Sequence, residues 1–273
     1  MECMLAGKGL QTELDDIIKE YAPLATISYM VTIHDDEEPV RYIATRNEDT
    51  VHASASMIKI LIMLSVFEAV SQQKLALTDQ IALTATPRVE GGGALQELQA
   101  NHTFSVLELC RLMMVLSDNW ATNLLIRTLG MTFINDTAKK YGAAKTSLKR
   151  YMMDTAAAAR GEENVTTAYD MIVLLDAIFQ IREQSVGGHE MWQILGRQQF
   201  RDKLPFHWGE EVPFHHKTGC LDRVEHDGGI LPLMNGNFGL VVLISNMDND
   251  EAIQLTARMG RCCKAFIEEK LPV

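Results

Sequence analysis

Ser56-Met57-Ile58-Lys59 opens the stretch SMIKILIMLSVFEAVSQ, residues 56–72. Ile58, Ile60, Leu61, Ile62, Met63, Leu64, Val66 and Phe67 fall on every side of the helix this stretch predicts. A helix that is apolar all round belongs at the centre of a domain. A lysine within it is costly unless it is paired or functional. Ser56 and Lys59 stand at i and i+3, on one face, with Cβ atoms about 5–6 Å apart. Ser56 in the first turn also lies near the partial positive charge of the helix end. The spacing predicts that Lys59 hydrogen-bonds Ser56 Oγ and, if burial lowers its pKa, accepts the serine proton. Taken alone, Ser-x-x-Lys arises often by chance.

Outward from this helix, 27–33 and 40–45 are β-rich runs separated by the acidic turn Asp35-Asp36-Glu37-Glu38-Pro39, which predicts a hairpin. An amphipathic helix is expected over 11–21. Residues 80–104 are irregular, and Gly91-Gly92-Gly93 within them reads as a flexible rim. Helical patterns follow at 105–116, 119–129 and 131–141, then a loop at 143–165, then helices near 166–180 and 190–199. Strands are expected at 211–218, 224–231 and 238–245, the last a continuous apolar run suited to a central strand, and a final helix at 249–269. Strands at both ends with helices between predict an α/β (α+β) fold. One antiparallel sheet is built from 1–50 and 205–273, and 51–204 forms a helical subdomain.

Two further motifs lie at the edges of these elements. Ser117-Asp118-Asn119 sits between two helices, where such residues are ordinary N-caps. Lys217-Thr218-Gly219 ends a strand; a lysine and a hydroxyl there can bind a carboxylate, and glycine admits a substrate close to the backbone. His215 shares a face with Lys217 and His216 points the other way. His215 is either an added positive charge or base at that site or, more often for such a residue, a strand-surface side chain. His226 is equally open.

Ser-x-x-Lys, Ser-Asp-Asn and Lys-Thr-Gly in this order form a set that resembles the class A β-lactamases and penicillin-binding serine hydrolases. The resemblance extends to Ser105–Cys110, to Leu116–Leu125 and to His226-Asp227-Gly228-Gly229-Ile230, and covers most of 25–270. It implies a β-lactamase/transpeptidase-like sheet domain joined to an all-helical one, with the active site between them. It implies Ser56 as nucleophile, Lys59 as proton acceptor or relay, and Ser117 as the bridge to the leaving nitrogen. Asn119 would hold the substrate amide, Lys217, Thr218 and Gly219 would bind its carboxylate, and the N–H groups of Ser56 and Cys220 would form the oxyanion hole. No cluster of His, Asp, Glu and Cys supports a metal site in this sequence, and no cofactor is expected. One departure stands out. Class A enzymes carry in the 151–161 loop a Glu that activates the deacylating water, and Met152 occupies that position here. A thioether is no base; Asp154, Glu162 and Glu163 are nearby acids that read mainly as solvated charge. Hydrolysis of a β-lactam amide with impaired deacylation is therefore expected. The alternatives are a D,D-peptidase or esterase, or a penicillin-binding sensor with little turnover.

The 273 residues carry a net charge of −11, which excludes a general attraction to nucleic acid or anionic membranes, and the resemblance implies a small-molecule substrate, a β-lactam, peptide or ester. No apolar run is long enough for a membrane span. No secretory signal is visible in residues 1–25, so a cytoplasmic location is expected, or a periplasmic or secreted one if a signal was removed. The oligomeric state is left open. Cys3, Cys110, Cys220, Cys262 and Cys263 match neither a zinc site nor a disulfide framework and are expected to be thiols.

Overall fold

The computed structural model describes residues 2–270 apart from 22, 37, 85–87, 100 and 235, so Glu37 of the predicted acidic turn lies outside it. The side chains of 2–8 and 270 are also outside, and with them the thiol of Cys3. Along the chain, α1 (Glu2–Ile18) leads into the predicted hairpin, β1 (Thr26–His34) and β2 (Arg41–Arg46). A two-residue strand, β3 (His52–Ala53), and a 3₁₀ turn (Ala55–Met57) precede α2 (Ile58–Ser71). The irregular region holds β4 (Gln80–Ala82) and β5 (Thr103–Ser105), paired antiparallel. Then come α3 (Val106–Val115), α4 (Asn119–Leu129), α5 (Met131–Lys140), the short α6 (Thr155–Ala159), β6 (Val165–Thr166), α7 (Ala168–Ile181) and α8 (Val186–Leu195). The chain returns through β7 (His215–Leu221), β8 (Val224–Leu233), β9 (Gly236–Ser245) and α9 (Asn249–Lys270).

The large sheet has the order β2-β1-β9-β8-β7, antiparallel throughout. Its central strands are covered on both faces, which is why β9 reads as continuously apolar. Leu240, Val242 and Ile244 pack with α1 and α9 residues such as Leu14, Leu255 and Met259, while Val241 and Leu243 pack towards α2. That alternation is the two-residue period of a strand. In α2, Ile58 to Ala69 are buried without a break, as an all-round apolar helix requires, and α3, α4, α5, α7 and α8 pack against it.

Boundaries moved where capping chemistry outweighs hydrophobic pattern. The helix expected near 190–199 is α8, which starts at Val186 because Ser185 Oγ accepts from Gly188 N at 2.9 Å. The strand expected at 211–218 begins only at His215, after Pro213. A short helix, α6, lies inside the predicted 143–165 loop, capped by Asp154.

Candidate active site

The three motifs meet at one cleft of about 450 Å³, lined among others by Ser56, Ser117, Asn119, Met152, Thr218 and Cys220. Ser56 stands in the 3₁₀ turn before α2, where Ala55 takes a left-handed φ of 46°. Ser54 N–H donates to Asn164 O at 2.7 Å and Met57 N–H to Ser54 O at 3.0 Å, closing the turn. From the sheet side, β7 comes so close that a Cβ on Gly219 would lie 3.1 Å from Ala55 Cβ and 3.3 Å from Ser56 N. The backbone ahead of Cys220 is thereby held against the backbone of Ser56.

Lys59 is fully buried, and burial pushes its amine from 10.5 down to about 7. The expected Lys59–Ser56 hydrogen bond is replaced by another arrangement. Lys59 Nζ donates to Ser117 O (2.8 Å), Ser117 Oγ (3.1 Å) and Asn119 Oδ1 (2.9 Å), and none of these three bonds reaches Ser56. The physical reason lies opposite α2, where the Ser117–Asn119 turn presents three oxygens to an amine that has left water. Lys217, also fully buried, donates to Ser117 Oγ (3.1 Å) and Thr218 O (2.7 Å). Burial and the neighbouring Lys59 hold its amine well below the usual lysine value. Thr218 lines the cleft itself.

Ser-Asp-Asn both caps a helix and lines the cleft, through Ser117 and Asn119. Asp118 caps α4, accepting from Ala121 N at 2.9 Å. Its other oxygen takes Ala94 N (2.7 Å) and Leu95 N (2.8 Å), anchoring the end of the glycine run. Asn119 N–H reaches Gly92 O (3.3 Å) and Asn119 Nδ2 reaches Glu90 O (3.2 Å). The rim expected to be flexible is thus tied down by four hydrogen bonds. Gly93, at φ 93°, has no room for a Cβ, which would sit 2.2 Å from Asp118 Oδ2.

Asn123, Arg150 and Asn164, to which the sequence assigned no role, shape the 150–164 loop. Asn123 clasps Met152 on both backbone groups: Met152 N–H donates to Oδ1 (2.8 Å) and Nδ2 donates to Met152 O (3.0 Å). The signal was available, since Asn123 follows Asn119 by one helical turn on α4. Arg150 pairs with Glu163 at 2.7 Å, and Asn164 Oδ1 accepts from Lys149 N (2.7 Å) and Arg150 N (3.0 Å), so the loop is closed at its base. The three nearby acids are all engaged. Asp154 caps α6 through Ala157 N (2.9 Å), Glu162 pairs with Arg160 (3.0 Å), and Glu163 holds Arg150.

Of the two histidines left open by the sequence, His215 is a packing residue and His226 is buried within the large sheet. His215 stacks on Trp192 of α8 at 3.7 Å between ring centres, with Nδ1 2.9 Å from Trp192 O, and burial lowers it to about 4. His216 lies on the opposite face, as expected, paired with Asp227 at 2.7 Å. Cys110, Cys220, Cys262 and Cys263 are free thiols.

The family model described as the beta-lactamase enzyme family matches residues 9–267. The chain belongs to the β-lactamase enzyme family. Among solved structures, the β-lactamase of Sphaerobacter thermophilus is similar at 25% identity and a TM-score of 0.81, covering 95% of this chain and 97% of that one. PBP-A matches at 24% identity and 0.82, covering 95% and 96%. A class A β-lactamase of Bacteroides cellulosilyticus matches at 20% and 0.84, covering 96% and 98%. The last two likenesses speak to the fold alone. A search of curated proteins found no match. The β-lactamase fold, an antiparallel sheet with helices, is thereby established for this chain, and among the described residues no helix is long and apolar enough to cross a membrane.

Proposed function

We propose that this β-lactamase-family hydrolase forms an acyl-enzyme at Ser56 with a small amide or ester, a β-lactam by family default. The observation that carries the reading is the convergence of two buried amines, Lys59 and Lys217, on Ser117 Oγ at the cleft that holds Ser56. In this reading the cleft lies between the sheet part, 1–50 and 205–273, and the helical part, 51–204.

Lys59, lowered to about 7 by burial, is partly the free amine at neutral pH; with two N–H groups for its three oxygen partners it gives up one of those bonds, turns its lone pair to Ser56 and takes that proton as Oγ attacks the carbonyl carbon. Negative charge on the carbonyl oxygen is met by the N–H groups of Ser56 and Cys220. As the carbon–nitrogen bond breaks, Ser117 passes a proton to the leaving nitrogen and is resupplied from the lysine side. Asn119 orients the acyl amide. Thr218, beside Gly219, meets the substrate carboxylate, with Lys217 adding positive potential from behind.

Deacylation is the weak step of this cycle. Met152 stands where a base is needed, and Asp154, Glu162 and Glu163 are engaged elsewhere. This favours, as second reading, a D,D-peptidase or esterase, or a penicillin-binding sensor that turns over little. A leucine-to-glutamate mutant of PBP-A has been solved as an acyl-enzyme with penicillin G in this fold, which is consistent with capture of a penicillin here. The test is intact-protein mass after mixing with nitrocefin or a penicillin, with hydrolysis followed in parallel, for wild type and Ser56→Ala. A persistent adduct lost in Ser56→Ala supports the reading. Rapid turnover lost in Ser56→Ala indicates another base, and neither adduct nor turnover removes the β-lactam assignment.

A further inference from the structure

Two buried histidines outside the proton-transfer group bear on where Ser56 stands. The chain enters the Ser56 turn from β3, His52–Ala53. His52 bridges the large sheet: Nε2 lies 2.8 Å from Ser28 Oγ on β1, and Nδ1 lies 2.8 Å from Ser245 Oγ on β9. His226 of β8 is fully buried, meets His52 edge to face at 5.8 Å, and places Nε2 2.8 Å from the carbonyl oxygen of Ala53.

The surroundings of His226 choose its tautomer. Nδ1 lies 2.8 Å from Glu225 O and 3.2 Å from the N–H of Ile244. Each neutral tautomer leaves one ring nitrogen facing a carbonyl oxygen, Nε2 against Ala53 O or Nδ1 against Glu225 O, and the Ile244 N–H, which only an unprotonated Nδ1 can accept, tips the balance to a proton on Nε2. With the proton on Nε2, that nitrogen donates to Ala53 and Nδ1 accepts from Ile244. Burial opposes a second proton, holding His226 below the ordinary histidine value.

We infer that His226 is a positioning residue for Ser56, its Nε2–H holding the Ala53 carbonyl to β8 and so setting where the Ser56 turn lies against β7. Two features make the placement sensitive. Ala55 is held at φ 46°, a conformation that persists only when its surroundings over-determine it. Gly219 leaves little slack, because Ser56 N would already be 3.3 Å from a Cβ there. Loss of the Ala53 anchor lets the turn relax away from the N–H of Cys220. The inference rests on the reading of Ser56 as the nucleophile.

The test compares His226→Asn with His226→Gln. A glutamine amide reaches the level of Nε2 and can donate to Ala53; an asparagine amide ends near the level of Nδ1 and cannot. In His226→Asn the first-order acylation constant at saturating nitrocefin or penicillin should fall by about tenfold to a hundredfold, the scale of a misplacement near 1 Å, with half-saturation unchanged. His226→Gln should recover most of that loss. Hydrogen exchange at the amides of 54–57 should quicken in His226→Asn and not in His226→Gln. Wild-type rates and exchange in both variants overturn the inference, as does equal slowing of both in step with a lower Tm. If wild type takes no adduct, the nucleophile reading fails, and the exchange comparison decides the anchor by itself. Nitrogen-15 NMR of the unaltered protein decides it without a variant: the proton on Nε2 is expected, and a proton on Nδ1 overturns it.

Discussion

Lys59 and Lys217 each place Nζ 3.1 Å from the same atom, Oγ of Ser117. Two amines so close to one hydroxyl cannot both stay charged at low cost, and both are shifted below the usual lysine value by burial, Lys217 also by Lys59. In the proposed reaction the hydroxyl between them receives a proton from one side and gives it up on another.

Ser117 holds that position in a left-handed conformation, φ 55°. For a residue with a Cβ this costs roughly 1–2 kcal/mol. Ser117→Gly should relieve the strain and leave Tm unchanged or higher, while slowing acylation by about a hundredfold or more, within the range for a lost proton relay. Ser117→Ala should slow acylation equally without the gain in Tm. Thermal melts and adduct formation by mass check both.

Acylation should rise with pH about a midpoint near 7, because the free amine of Lys59 exists above its pKa. Stability has its own sign. Between about 7 and 10.5 the folded chain binds fewer protons at Lys59 than the unfolded chain does, so stability should increase with pH across that window. Acylation rates and melts between pH 5.5 and about 10 test this, and Lys59→Met should lose both the acylation and the Lys59 share of the slope.

Met152→Glu should shorten the acyl-enzyme lifetime by about tenfold or more, within the range for a general base, and leave the acylation rate near wild type. Asn123 holds the backbone of residue 152 through N–H and C=O, so the exchange of side chain does not remove that clasp. The measurement is the decay of the adduct mass after excess reagent is removed.

Gly219→Ala would bring a methyl group to 3.1 Å from Ala55 Cβ, 3.2 Å from Met57 Cγ and 3.3 Å from Ser56 N. β7 has to draw back by a few tenths of an ångström, which separates the N–H groups of Ser56 and Cys220. Acylation should fall by about tenfold to a thousandfold, the effect of impairing one oxyanion donor, with Tm lowered by only a few degrees. A loss of Tm with full activity would count against the oxyanion assignment.

The order of elements was legible because periodicity is local. The apolar circumference of α2 predicts its burial, and the alternate strand faces of β9 predict a sheet covered on both sides. The Ser-x-x-Lys, Ser-Asp-Asn and Lys-Thr-Gly set named the stretches that meet at the cleft. Partner choice was not local. Helical spacing pairs Lys59 with Ser56, yet the folded chain gives Lys59 three oxygens from the Ser117–Asn119 turn. Spacing measures reach within one helix, whereas a buried amine bonds to whichever acceptors the packing of two elements presents. His215 was open for the same reason: only the docking of α8 on β7 brings Trp192 against its ring. The sequence by itself determined which residue types stand in each element and which faces are apolar, since those follow from local repeat. The tertiary structure alone decided which lysine meets which serine, which acids are engaged, and where the Ser56 turn is fixed, since those depend on distances between segments far apart in the chain.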